Sequence, residues 1–109
     1  MQLLREAHQR RADENQRAAA CVRAALRGAL TELLPSGSQV WLYGSLTKAA
    51  RFAEWSDVDL ALEREPDGMS IYLLMSLLAE RTGRVVDVTL LRETRLRESI
   101  VNEGELWTM

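Results

Sequence analysis

Apolar residues recur at helical spacing in the first third of the chain. Val22, Leu26, Ala29 and Leu33 follow one another at intervals of four, three and four residues, which is typical of one face of an α-helix. Residues 5–17 are mostly polar, so the helix either begins late or projects as an arm. Pro35 ends it, because the residue before a proline avoids the α region. The pattern predicts one long helix within residues 1–34.

Three later segments are predicted to be strands: residues 39–43 form a short apolar run after a turn, and residues 57–63 and 84–91 alternate between two faces. In the second, Val58, Leu60 and Leu62 share one face, while Asp57, Asp59 and Ala61 share the other. In the third, Val86, Val88 and Leu90 lie opposite Val85, Asp87 and Thr89.

Helices are expected at residues 46–53, 69–81 and 93–103, separated from the strands by turns at 65–68, at Gly83 and at Gly104. The last helix is expected to turn Leu96, Ile100 and Val101 inward, and Trp107 to return to the core. This order predicts an α/β (α+β) fold: a small three- to four-stranded mixed sheet with helices on at least one face. It leaves the strand directions open.

The composition is that of an ordinary globular protein, with 47% hydrophobic and 28% charged residues. A formal net charge of −2 argues against nucleic acid as the main direct partner. No apolar run approaches the ~20 residues that span a bilayer, and the charged N-terminal segment is not a secretory signal. We therefore expect a cytoplasmic protein without a membrane partner, in which the single cysteine, Cys21, is a small buried side chain.

The placement of the acids is the first sign of chemistry. Asp57 and Asp59 project from the same strand face, and Asp87 is the one acid on the next strand, so neighbouring strands would bring three carboxylates together. Close carboxylates repel one another, and a divalent cation with oxygen ligands, such as Mg²⁺, offsets that repulsion. The alternative is that Asp57 and Asp59 are an ordinary exposed acidic pair. Asp87 would then be a strand residue paired with Arg84 or Arg92.

Gly44-Ser45 follows the first predicted strand. A glycine lets the backbone approach a phosphate closely, and the serine hydroxyl and the next N–H groups can bind phosphate oxygens. The alternative is a plain strand-to-helix turn in which Ser45 is the helix N-cap.

Residues 43–60, YGSLTKAARFAEWSDVDL, combine these features in a specific order. They resemble the signature of the DNA polymerase beta-like nucleotidyltransferases: Gly-Ser, about ten residues, then Ser-Asp-x-Asp-Leu. The chain looks most like the minimal nucleotidyltransferases, and the resemblance covers residues 39–107, including the third acid in VDV and the ending IVNEGELW. It implies the nucleotidyltransferase fold in a single domain, residues 1–109, with a catalytic core over 39–107 after the helix of 1–34.

The resemblance also implies roles for individual residues. Asp57, Asp59 and Asp87 would bind Mg²⁺, as two ions, and Asp87 would help to activate the acceptor hydroxyl. Gly44 and Ser45 would hold the triphosphate of ATP. Lys48 and Arg51 lie where a cation could meet the same triphosphate, although both could equally be solvated helix residues. Many relatives have Ala-Arg-Gly where this chain has Thr47-Lys48-Ala49, which replaces a bidentate arginine with a point charge.

Minimal nucleotidyltransferases commonly occur as antitoxins beside small helical HEPN toxins. The resemblance therefore implies a hetero-oligomer in which this chain transfers AMP from ATP to a tyrosine hydroxyl of a HEPN-type toxin. Two other hypotheses remain open: a binding module that neutralises its partner by occlusion, and a nucleotidyltransferase for small molecules, which usually needs a second domain.

Overall fold

The long N-terminal helix is present in the computed structural model, which describes residues 2–109. Helix α1 spans Gln2–Leu33 and ends just before Pro35, as predicted. The polar residues 5–17 are already part of the helix, so it does not begin after them. Its exposed first turns project as an arm, and the longest dimension of the molecule is 54 Å. Its inward stripe consists of Ala19, Val22, Leu26, Ala29 and Leu30. Leu33 is only partly buried, and Cys21, expected to be buried, is exposed.

Four strands form one mixed sheet: β1 (Gln39–Tyr43), β2 (Val58–Leu62), β3 (Val86–Leu90) and β4 (Glu105–Thr108). Their order is β3-β2-β1-β4; β1 is antiparallel to both β2 and β4, whereas β2 and β3 are parallel. The three predicted strands are confirmed. The segment expected to return to the core does so as a strand, with Trp107 opposite Val40.

The remaining helices differ from prediction mainly in length. Helix α2 (Ile71–Thr82) begins at Ser70, whose hydroxyl accepts from the Leu73 amide, and ends at Gly83, which is left-handed with φ 70°. Helix α3 (Arg97–Glu103) is shorter than the predicted 93–103. The helix predicted for 46–53 is instead two 3₁₀ turns, Gly44–Thr47 and Ala49–Arg51. Lys48 interrupts them because its φ and ψ, −120° and 73°, are not helical.

The two faces of the sheet are covered unequally. On one face the apolar residues of all four strands pack with α1 and α2 into the main core. On the other face, α3 lies against β1 and a smaller cluster forms, consisting of Trp41, Ala61, Leu91 and Ile100. Leu96 and Val101 were expected inward but are 55% and 44% exposed, because so short a helix turns only Ile100 to the sheet. Of the residues on the β2–β3 half of this face, Ala61 is buried, whereas Asp59, Asp87 and Thr89 stay at least partly accessible.

The fold is thus α+β, with one long N-terminal helix, two shorter helices and a four-stranded mixed sheet within residues 2–109. None of the helices among these residues is both long and apolar enough to cross a membrane.

Candidate active site

The parallel pairing of β2 and β3 places Asp59 directly opposite Asp87. Both lie on the accessible face, on strands that are ~4.8 Å apart in such a sheet. Asp59 is half-buried and Asp87 is exposed on the edge strand, while Asp57 precedes β2 by one residue. The structure thus brings the three predicted carboxylates to one end of the sheet.

The electrostatics of Asp59 show that these charges affect one another. Burial raises the pKa of Asp59 most, and the charges of Asp87 and then Asp57 raise it further. Within residues 2–109, the ion pairs are Arg23–Glu105, Arg81–Glu32 and Arg97–Glu63, so neither Arg84 nor Arg92 neutralises Asp87. The alternative of an ion-paired strand residue is therefore wrong, and the acids face one another without a cation from the described chain.

Gly44 determines how closely Asp59 can approach the turn after β1. The last residue of β1, Tyr43, pairs with Asp59, and the chain then turns at Gly44 with φ 74°. A Cβ at position 44 would lie 2.5 Å from Asp59 Oδ2. Only glycine lets this carboxylate rest against the backbone, a contact that the sequence pattern did not reveal.

Ser45 lies inside the first 3₁₀ turn and is not its N-cap, since Tyr43 holds that position without a side-chain cap bond. The Ser45 hydroxyl donates a long hydrogen bond of 3.4 Å to the Asp57 carbonyl oxygen. The turn after β1 is thereby connected to the start of the Asp57-Val58-Asp59 strand, which places the two halves of the predicted signature side by side.

Tyr43 bounds the acids on the other side. Its hydroxyl donates across β2 to Thr89 Oγ1 at 3.4 Å, so the ring passes over the small Ala61. Burial raises the pKa of Tyr43, and the charges of Asp59 and Asp87 add to this effect. The phenol therefore stays protonated beside the carboxylates.

Arg84, which one alternative paired with Asp87, instead contacts the loop before Asp57. One of its guanidinium nitrogens donates to the carbonyls of Ala53, Glu54 and Ser56, at 2.8, 2.7 and 3.4 Å, and the guanidinium carbon lies 4.6 Å from the centre of the Phe52 ring. The Ser56 hydroxyl also accepts from the Ala53 amide. Arg84 thus fixes the loop that leads to Asp57, and no local pattern announces such carbonyl contacts.

The two predicted cations have different surroundings. Lys48 is exposed and lines a cleft of about 210 Å³ between the first 3₁₀ turn and α3, together with Gly44. Arg51 is exposed and does not line this cleft; its turn is held to α1 by Asn15, which donates to the Ala50 carbonyl at 2.8 Å. A larger cleft of about 460 Å³ lies at the opposite end of the sheet and contains none of the predicted site residues.

The acids fit a magnesium ion that is shared with a substrate better than a closed protein cage. Within residues 2–109, no group of three or more Asp, Glu, His or Cys side chains is arranged to hold a metal ion. Mg²⁺, however, commonly uses only one or two carboxylates, with phosphates and water completing its shell. The facing pair of Asp59 and Asp87, with Asp57 nearby, offers hard oxygen ligands of this kind.

Comparison with known proteins finds a similar fold among solved structures. No protein-family model matches the chain, and no curated protein matches it. Among solved structures, it is similar to a chain described as "Crystal structure of the toxin-antitoxin with AMP-PNP", with a TM-score of 0.62 and 23% identity. The match covers 79% of this chain and 73% of that chain. At this level of identity the similarity shows a shared fold.

Proposed function

We propose that this chain is a Mg²⁺-dependent nucleotidyltransferase that transfers AMP from ATP to a tyrosine hydroxyl of a HEPN-type toxin and thereby acts as its antitoxin. One observation carries the proposal: Asp59 and Asp87 face each other in register beside the Gly44 turn, with no cation of the described chain to offset their charge. The fold shared with a chain from a toxin-antitoxin structure containing AMP-PNP supports it.

In this proposal residues 39–107 are the catalytic core of a single domain, and each site residue has one task. Asp57, Asp59 and Asp87 hold the metal, which supplies charge neutralisation and Lewis acidity at the transferred phosphoryl group. Gly44 and Ser45 bind the triphosphate, with Lys48 and Arg51 as nearby cations. The acceptor oxygen attacks the α-phosphorus, pyrophosphate leaves, and Asp87 accepts the hydroxyl proton.

The exposure of Asp87 is what favours a protein as the acceptor. It lies on edge strand β3, on the half of the sheet that α3 leaves open, so a large acceptor can reach it. Trp55, in the loop that Arg84 fixes, is 84% exposed two residues before Asp57. Exposed tryptophans are frequent anchors of protein interfaces.

The test is transfer of label from ATP to the co-purified partner with Mg²⁺, followed by mass spectrometry of its tyrosines. The variant carrying Asp57→Asn and Asp59→Asn should lose transfer, because it removes two of the metal-binding charges without changing side-chain size. Asp67→Asn, in the turn at the far end of the sheet, is the matched control and should keep it. Labelling that persists in the double variant would refute the role of these acids.

Neutralisation by occlusion is the second candidate, and two observations favour it. No preformed group of three metal ligands exists among the described residues, and Lys48 stands where many relatives have arginine. Under this hypothesis the double variant still protects cells that express the toxin, although it transfers no AMP. Loss of protection together with loss of transfer would exclude occlusion.

A further inference from the structure

The cleft of about 210 Å³ beside Gly44 is lined mostly by residues to which the proposed function gives no role. The first 3₁₀ turn forms one side and α3 the other. Whole ligand pockets usually measure about 300–1,000 Å³, so this cleft suits one part of a nucleotide rather than all of it. It shares Gly44 and Lys48 with the proposed triphosphate site, and Gly44 also touches Asp59.

Its walls suit a flat aromatic group. Tyr43 presents a ring whose hydroxyl is tied to Thr89, and Ile100 packs on the sheet from α3. Leu96, at the start of α3, lines the same cleft and is 55% exposed. An exposed leucine and an aromatic residue in the same cleft leave apolar surface that a bound base would cover.

The polar groups differ between the two sides of the cleft: Lys48, after the first 3₁₀ turn, suits a phosphate, whereas Glu103, at the end of α3, suits a hydrogen-bond donor. Glu103 lines the cleft, and within residues 2–109 its carboxylate has no hydrogen bond or ion pair. A carboxylate only accepts hydrogen bonds and repels phosphate. The next residue is Gly104, where a Cβ would lie 2.4 Å from the Ile100 carbonyl oxygen and 2.9 Å from that of Leu42. Residue 104 thus anchors the end of α3 directly against β1.

We propose that this cleft binds the base of the nucleotide, and that the Glu103 carboxylate accepts a hydrogen bond from the exocyclic amino group of adenine. The inference rests on the proposed nucleotidyltransferase function and adds a determinant of base selectivity to it. Ring contacts with Tyr43 and Leu96 would bind any purine, whereas Glu103 would distinguish an amino group from a carbonyl oxygen at the same ring position.

The experiment compares ATP with ITP, in which a carbonyl oxygen replaces that amino group. Dissociation constants are measured with Mg²⁺ by calorimetry on the full chain. The unchanged protein should bind ATP more tightly than ITP by on the order of tenfold, the worth of one hydrogen bond to a charged group. Glu103→Gln should bring the ratio close to one, because an amide can turn its NH₂ group to the ITP oxygen. Glu98→Gln, on an exposed position of α3 outside the cleft, should leave it unchanged.

Each other outcome has a distinct meaning. If Glu103→Gln strengthens the binding of ATP, ITP and tripolyphosphate by the same factor, the cleft holds phosphates and the inference is overturned. If the unchanged protein binds both nucleotides equally well, or if Glu103→Gln leaves a preference intact, base reading by Glu103 is wrong while the proposed function stands. If no nucleotide binds saturably, the proposed function fails and the inference fails with it.

Discussion

Replacing Gly44 with alanine should displace Asp59 without changing any charge. At position 44 φ is 74°, and a Cβ would lie 2.5 Å from Asp59 Oδ2. Gly68 provides a matched control, because its φ is 75° and nothing lies within 4 Å of the Cβ position. Both substitutions incur the cost of a left-handed alanine, about 1–2 kcal/mol. Any further effect at position 44 therefore comes from Asp59.

The size of that further effect follows from the contact. Ordinary van der Waals contact begins at 3.4 Å, so Asp59 has to withdraw by about 0.9 Å. A half-buried aspartate that leaves its rotamer by such a distance costs about 1 kcal/mol. We expect Gly44→Ala to lower the free energy of unfolding by about 1 kcal/mol more than Gly68→Ala does. A 1 Å shift of a positioned group also costs about 10²-fold in rate, so AMP transfer should fall by about that factor.

Two measurements check this prediction. Urea unfolding can be followed by the fluorescence of the buried Trp41 and Trp107, and Mn²⁺ binding in the presence of ATP can be followed by electron paramagnetic resonance. The reasoning would be refuted by equal unfolding free energies for the two alanine variants together with unchanged Mn²⁺ affinity in Gly44→Ala.

Two further predictions concern the supporting structure. Glu105→Gln leaves only a neutral amide oxygen to accept from Arg23 and Trp107 and should lower stability at pH 7 by about 1 kcal/mol, discounted for partial exposure. Because the Arg23 hydrogen bond lowers the pKa of Glu105 from 4.5, that stabilisation is present above 4.5 and is lost as the pH falls through the lower folded-state value. Unfolding curves of the two proteins should therefore converge in acid; a pH-independent difference would contradict this. Arg84→Lys should lower stability by about 1–2 kcal/mol and speed amide hydrogen exchange in residues 53–56, since the shorter lysine does not reach the carbonyls that Arg84 contacts and lacks the planar guanidinium that lies over Phe52. Arg92→Lys is the control, and equal exchange in both variants would show that Arg84 does not hold the loop.

The local sequence pattern was sufficient to predict most of the helices and strands. A short apolar run located β1, alternation located β2 and β3, and Pro35 and Gly83 marked the ends of α1 and α2. The pattern predicted the wrong conformation for the residues after Gly44 and placed the start of α3 too early. There the chain follows two 3₁₀ turns and, within residues 91–96, further turns. Contacts with residues distant in the chain, such as that of Asn15 with Ala50, are not visible in a local pattern.

Only part of the candidate site, likewise, could be predicted from the sequence. That Asp57 and Asp59 share a face could be predicted from sequence, because strand geometry repeats every two residues. That Asp87 faces them could not, because it depends on β3 lying parallel beside β2 in one register. The contact of Gly44 with Asp59 and the carbonyl contacts of Arg84 likewise join residues distant in the chain.

The sequence by itself therefore determined which residues are candidates for the site and on which side of each strand they lie. Only the tertiary structure decided that the three acids meet at the β2–β3 half of one sheet face and that α3 lies against β1 on the same face. It also decided that Glu103 lines a cleft beside Gly44. The physical reason is that side-chain direction is set within a few residues by backbone geometry. Which strands become neighbours is set instead by how the whole chain buries its apolar surface.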